Sequence, residues 1–169
     1  EFYQFWINTS DVDVMMRLKQ FTFLSKDEID QIEVSFEKEP EKRLAQQTLA
    51  NEVTEMVHGK TALKQAVNIS RALFSGVIKD LSVEEIEMGF KGLPSIEAHE
   101  NMTLIDALKS LELVQSNRQA REMIKNNAVS VNGEKVNDTY FECAKEDAIG
   151  QKYTVLRKGK KKYGVIKHI

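Results

Sequence analysis

The sequence predicts an α+β chain: an acidic, all-α N-terminal domain over residues 1–95, then a small basic α+β domain over residues 96–169 with one basic helix and short antiparallel strands. Three observations predict it. Apolar residues recur at helical spacings of three and four through most of the first ninety positions. From Ser116 to Val136 a helix signature gives way to the alternating Val129-Ser130-Val131 and the hairpin dipeptide Asn132-Gly133. Charge also divides along the chain, with 11 Lys and Arg against 18 Asp and Glu over residues 1–100, but 13 against 8 over residues 101–169. Gly89, Gly92 and Pro94 punctuate the change, which places the expected boundary near residues 91–100.

The elements follow in order. Phe2, Tyr3, Phe5 and Trp6 open the chain with no cap before them, as expected of a helix that starts upstream in a longer protein. Asp11 and Asp13 stand at the next helix start, where negative charge complements the dipole, with Val12, Met15, Met16 and Leu18 expected on the buried side. Ser25 and Glu28 form a capping box ahead of Ile29, Ile32 and Phe36. Pro40 is expected in the first turn of a helix carrying Leu44, Leu49, Val53, Met56 and Val57, which ends at His58-Gly59. Beyond it, Ala62, Leu63, Ala66, Ile69, Leu73 and Phe74 read as the next apolar stripe, stopped at Ser75-Gly76. Ser82 and Glu85 form another capping box, before Ile86 and Phe90.

In the basic part, Thr103 caps a helix with Leu104, Ile105, Ala107, Leu108 and Leu111, expected to pack on the next helix. That helix begins with a Ser116/Gln119 capping box and stops at Asn126-Asn127. Arg118, Arg121 and Lys125 share one of its faces, and Ala120, Met123 and Ile124 point into a core. Tyr153, Val155 and Leu156 form a strand, with Tyr163, Val165 and Ile166 as its partner. Arg157, Lys158, Lys160, Lys161 and Lys162 crowd the turn around Gly159. A rigid row of guanidinium groups suits a phosphate backbone better than a small ligand.

Several classes of function are disfavoured. No apolar run approaches membrane-spanning length, and the start lacks the basic-then-apolar layout of a secretory leader, so a cytoplasmic site is expected. A single cysteine, Cys143, forms no disulfide framework, and with three scattered histidines it makes no zinc ligand set. No glycine-rich phosphate loop and no nucleophile–base pair is marked. No catalytic residue, metal or cofactor is therefore expected in this stretch.

Arg118-Gln119-Ala120-Arg121 followed by Val129-x-Val131-Asn132-Gly133 resembles the RNA-binding domain shared by a small-subunit ribosomal protein, some pseudouridine synthases and bacterial tyrosyl-tRNA synthetases. The opening EFYQFWIN, the following DVDV and LKQFTFL, the stretch EKRLAQQTLANEVTEMVHG from Glu41, and ALFSG from Ala72 resemble the anticodon-binding domain of the last family. The Arg157-Lys-Gly-Lys-Lys segment is similar to its terminal hairpin. The resemblance covers essentially the whole chain, and it implies the tRNA-binding C-terminal part of a tyrosine–tRNA ligase. The two nucleotide-site motifs of the catalytic domain are absent, so ATP and magnesium are implied for the full-length enzyme only. It further implies tyrosine tRNA as partner, a catalytic domain on the same polypeptide, a homodimeric parent and a monomeric fragment. Arg118, Arg121, Lys125, Arg157, Lys158, Lys160 and Lys161 would contact phosphates, while Asn132 hydrogen-bonds a ribose or shapes its own turn. Asp11 and Asp13 are the candidates for an anticodon guanine edge, with helix capping as their other role. Two other functions compete: a free-standing binder of structured RNA, and a protein–protein adaptor built on the acidic helices.

Overall fold

The computed structural model describes residues 1–160 and 162–169 and falls into two units, Glu1–Ser70 and Arg71–Ile169. The first is helical throughout: α1 (Phe2–Ile7), α2 (Val14–Phe21), α3 (Lys26–Lys38), a 3-10 turn (Pro40–Lys42), and α4 (Leu44–Ser75), which continues into the second unit. Its core is Val14, Leu18, Ala45, Leu49 and Val53, with Trp6, Met15, Leu24, Ile32 and Phe36 packed around them. Ser25 caps α3 reciprocally with Glu28, whose carboxyl is held below the usual range by the Ser25 hydroxyl and then by the Ser25 N–H.

Three expectations are corrected in this unit. Pro40 opens the 3-10 turn rather than the long helix, because Arg43 sits in the left-handed region (φ 52°) and helical continuation is impossible there. Val12 and Met16 are exposed, since α2 starts only at Val14 and turns Val14 and Leu18 inward. Leu44, Met56 and Val57 are also exposed; the buried stripe of α4 is Ala45, Gln46, Leu49, Ala50 and Val53. On α1 the buried residue is Tyr3, whereas Phe5 is 63% exposed and Phe2 lies edge-on to the His58 ring at 4.7 Å. The expected break at Gly59 is present: its φ of 81° and ψ of 170° interrupt α4.

The second unit is a twisted sheet covered on both faces. After α4 come α5 (Val83–Gly89), β1 (Ser95–Ala98), β2 (Met102–Thr103), α6 (Leu104–Ser110), α7 (Asn117–Lys125), β3 (Val129–Val131), β4 (Glu134–Lys135), β5 (Glu142–Cys143), β6 (Tyr153–Lys158) and β7 (Lys162–His168). The main sheet runs β1-β7-β6-β3-β4, and β2 pairs separately with β5. Leu104, Leu108, Leu111, Ala120, Ile124, Val129, Leu156 and Ile166 form one core, where α6 and α7 meet the sheet. Tyr153, Val155 and Val165, alternating with those strand residues, form a second core with Ala72, Ile78, Leu81, Ile86 and Phe90.

That second core accounts for where the units divide. Segment 71–90 supplies the apolar layer for one sheet face, and β1 pairs in parallel with β7, so the composition shift near residues 91–100 lies inside the second unit. The parallel pair is a departure from the expected antiparallel strands. Phe74 likewise leaves its expected stripe: Ala72 is buried, while Phe74 is 95% exposed. Among the described residues, no helix is long and apolar enough to cross a membrane.

Candidate nucleic-acid interface

The α7 helix is built to expose its cations. The Ser116 hydroxyl accepts from the Gln119 N–H at 3.2 Å, but the Gln119 Oε1 accepts from the Gln115 N–H rather than completing the box on Ser116. Either way an orphan donor at the helix start is satisfied. Ala120 and Ile124 are fully buried against α6, and an Ile124→Ala change would cost about 2–5 kcal/mol. With that face committed, Arg118, Arg121 and Lys125 stand exposed on the other. The helix ends at Asn126, and Asn127 adopts φ 52° to turn the chain into β3.

The next turn is a tight one. Asn132 (φ 50°) and Gly133 (φ 93°) are both left-handed, as a two-residue hairpin between β3 and β4 requires. Gly133 also has no room for a side chain, since a Cβ there would come within 2.2 Å of the Gly76 carbonyl oxygen. The Asn132 amide works at both ends: Oδ1 accepts from the Val155 N–H at 2.8 Å, and Nδ2 donates to the Asp147 carbonyl at 3.2 Å. Its turn-shaping role is therefore evident.

The basic hairpin is more ordered than a loop of cations. Arg157 and Lys158 belong to β6 rather than to the turn, because Lys158 pairs with Lys162 and Arg157 with Tyr163 in register. Lys158 is half-buried and its Nζ donates to the Leu113 carbonyl at 2.6 Å. Arg157 lies half-buried beside Gly76, with its Nε enclosed and unpaired. Lys160 is exposed at the tip; the expectation for Lys161 lies outside the described residues. At this tip the Gly159 N–H donates to the Ala128 carbonyl at 2.7 Å, in the turn between α7 and β3, three residues after Lys125. The tip of the basic hairpin is thus held beside the turn that follows α7.

In the first unit, Asp11 and Asp13 have separate surroundings. Asp11 Oδ1 accepts from Gln46 Nε2 at 2.6 Å, and Gln46 is completely buried with its Oε1 unpaired. Asp13 occupies the N-cap position of α2 without a side-chain bond to the helix, and accepts instead from the Ser10 hydroxyl at 2.8 Å. Gln46 was not anticipated from sequence, though a signal existed: it falls in step with Leu49, Ala50 and Val53 on the buried stripe, where a polar residue needs a partner.

A cleft of about 330 Å³ in the second unit is lined by Phe90, Tyr153 and Val165, and two of its carboxylates are held in ion pairs. Glu87 holds Lys152 at 2.8 Å and accepts from the Tyr153 hydroxyl, which keeps its carboxyl below the usual range, and Glu97 pairs with Lys167. The Cys143 thiol is buried, and its pKa is pushed up to about 12 by that burial, so it offers no nucleophile.

Residues 85–166 match the tyrosine–tRNA ligase SYY-like C-terminal domain, and residues 1–75 match the class I tRNA synthetases for tryptophan and tyrosine. The chain is 55% identical over 168 residues to a tyrosine–tRNA ligase of Bacillus pumilus, aligning 98% of its own length with 40% of that protein. It is 52% identical to that of Geobacillus stearothermophilus, over 99% of this chain and 40% of the relative. The chain thus spans about two-fifths of the length of these curated relatives. A solution structure of a tyrosyl-tRNA synthetase C-terminal domain is 44% identical, covering 58% of this chain and 100% of that one, with a TM-score of 0.46.

Proposed function

The chain belongs to the tyrosine–tRNA ligase family, as a C-terminal portion of it, and from that premise we propose that it binds tyrosine tRNA and orients it for aminoacylation. The observation that carries the proposal is the exposed row Arg118, Arg121 and Lys125 on α7, with the Gly159–Ala128 bond holding the tip of the basic hairpin to the turn that follows that helix. Arg118, Arg121, Lys125 and Lys160 supply exposed phosphate contacts, and Arg157, Lys158 and Asn132 hold the surface they stand on. Phosphate contacts fix orientation and register; base identity is read elsewhere. Asp11, with Gln46 behind it, and Asp13 are the proposed acceptors for an anticodon base edge on the helical unit, while the basic helix and hairpin of the second unit grip the long variable arm.

The chemistry of aminoacylation, with ATP and magnesium, belongs in this reading to the portion of the relatives that this chain does not span. Among the described residues no cluster of His, Cys, Asp or Glu could hold a metal ion. The parent protein would act in the cytoplasm as a homodimer, with this piece alone monomeric.

The test is binding to tyrosine tRNA, to the same tRNA with a shortened variable arm, and to an unrelated tRNA, at two salt concentrations. Preference for intact tyrosine tRNA, lost on shortening the arm, is the expected result. Equal binding to all three, governed by salt alone, would reduce the chain to a generic polyanion binder.

A further inference from the structure

Phe74 is 95% exposed, the highest value among the exposed large apolar side chains of the described residues. Its backbone is not loose. Ala72 and Ile78 are buried in the second core, the Leu73 carbonyl accepts from the Tyr163 hydroxyl at 3.3 Å, and the Gly76 N–H donates to the Ala72 carbonyl at 2.7 Å. Gly76 itself is buried at φ 82° against Gly133 and the Arg157 guanidinium. A ring held outward on an anchored backbone forgoes about 2 kcal/mol of burial, so its exposure is not that of a fraying end.

The surroundings indicate what the ring contacts. Arg71, exposed, lies one helical turn before Phe74 on α4, and the Arg157 guanidinium packs against Gly76, two residues after it. An exposed aromatic face with an exposed guanidinium one helical turn away suits a nucleotide, with its flat base and adjoining phosphate, better than an apolar protein surface, which would leave that charge without a partner. We propose that Phe74 is the stacking platform for an unpaired nucleobase of the bound RNA, with Arg71 on the phosphate beside it. This inference rests on the tRNA-binding reading.

The experiment measures affinity of the 169-residue chain and its Phe74→Ala, Phe74→Leu and Phe74→Trp variants for a tyrosine tRNA transcript. Base–aromatic stacking predicts about tenfold weaker binding for Phe74→Ala and Phe74→Leu, an unchanged salt slope, and near-full affinity for Phe74→Trp. The tryptophan of that variant should be quenched by the tRNA, beyond any change seen for Trp6 in the parent chain. An unchanged melting temperature is expected for all three, because the side chain is in solvent. Parent-like affinity of both Phe74→Ala and Phe74→Leu would overturn the platform and point to a protein partner. Parent-like affinity of Phe74→Leu alone would overturn stacking in favour of a generic apolar contact. Failure of the parent chain itself to bind the transcript would instead overturn the tRNA reading.

Discussion

On α7 the cations Arg118, Arg121 and Lys125 stand in solvent, whereas on β6 Arg157 and Lys158 are half-buried, the one beside Gly76 and the other bonded to the Leu113 carbonyl. In the sequence the two groups look alike. They differ because a helix packed through one stripe frees its opposite face, while a strand covered on both sides has no free face to offer. Charge available to a ligand is therefore smaller than charge counted. With the units divided at Ser70, the second holds 16 Lys and Arg against 14 Asp and Glu, so its attraction for a polyanion depends on where the cations stand.

The comparison can be broken at four points. Asn132→Ala removes two bonds and the residue best suited to a left-handed turn position. It should cost about 2 kcal/mol of stability, read as a fall in the denaturation midpoint. A midpoint unchanged with RNA affinity lost would return Asn132 to the ligand surface. Arg118→Ala combined with Arg121→Ala should weaken tRNA binding about tenfold and lower the salt slope by about two, with the melting temperature unmoved. Unchanged affinity at physiological salt would remove α7 from the interface.

Lys158→Met keeps the aliphatic stem and deletes the bond to Leu113, so it should cost about 1 kcal/mol of stability and little affinity. A tenfold affinity loss from Lys158→Met would erase the distinction between helix and strand cations. The smallest effect is the pH response of His168, buried on β7 with its Nε2 2.9 Å from the Thr154 hydroxyl. Burial, then Lys145, lowers its pKa from the ordinary 6.5, so the unfolded chain binds the proton more readily. Stability should be level above pH 6.5 and fall as pH drops from there through the lower folded value. His168→Gln should flatten that portion of the curve; carboxylates such as Glu28 and Glu87, also lowered, act only below about 4.5. An unaltered slope in the variant would show that His168 charges freely in the folded chain.

Much of the architecture was legible because its determinants are local. The Ser25 and Ser82 capping boxes, the break at Gly59, the α6 and α7 core residues and the Asn132-Gly133 turn all act within a few positions of themselves. The long-range features were not. β1 pairs with β7 across about seventy residues, and the partner of Asp11 is Gln46, 35 positions away. The second sheet face is filled by segment 71–90, a layer that the punctuation at Gly89, Gly92 and Pro94 gave no reason to join to the strands.

By itself the sequence determined the Ser25 and Ser82 helix starts, the break at Gly59, the hairpin turn, the exposed basic face of α7 and the family, since each rests on residue types at short fixed spacings. Tertiary structure alone decided which β6 cations are spent on packing, where the two units divide, and that Phe74 faces solvent. Those outcomes depend on which distant surface covers each face, and a periodicity of two or of 3.6 marks a face without naming what will cover it.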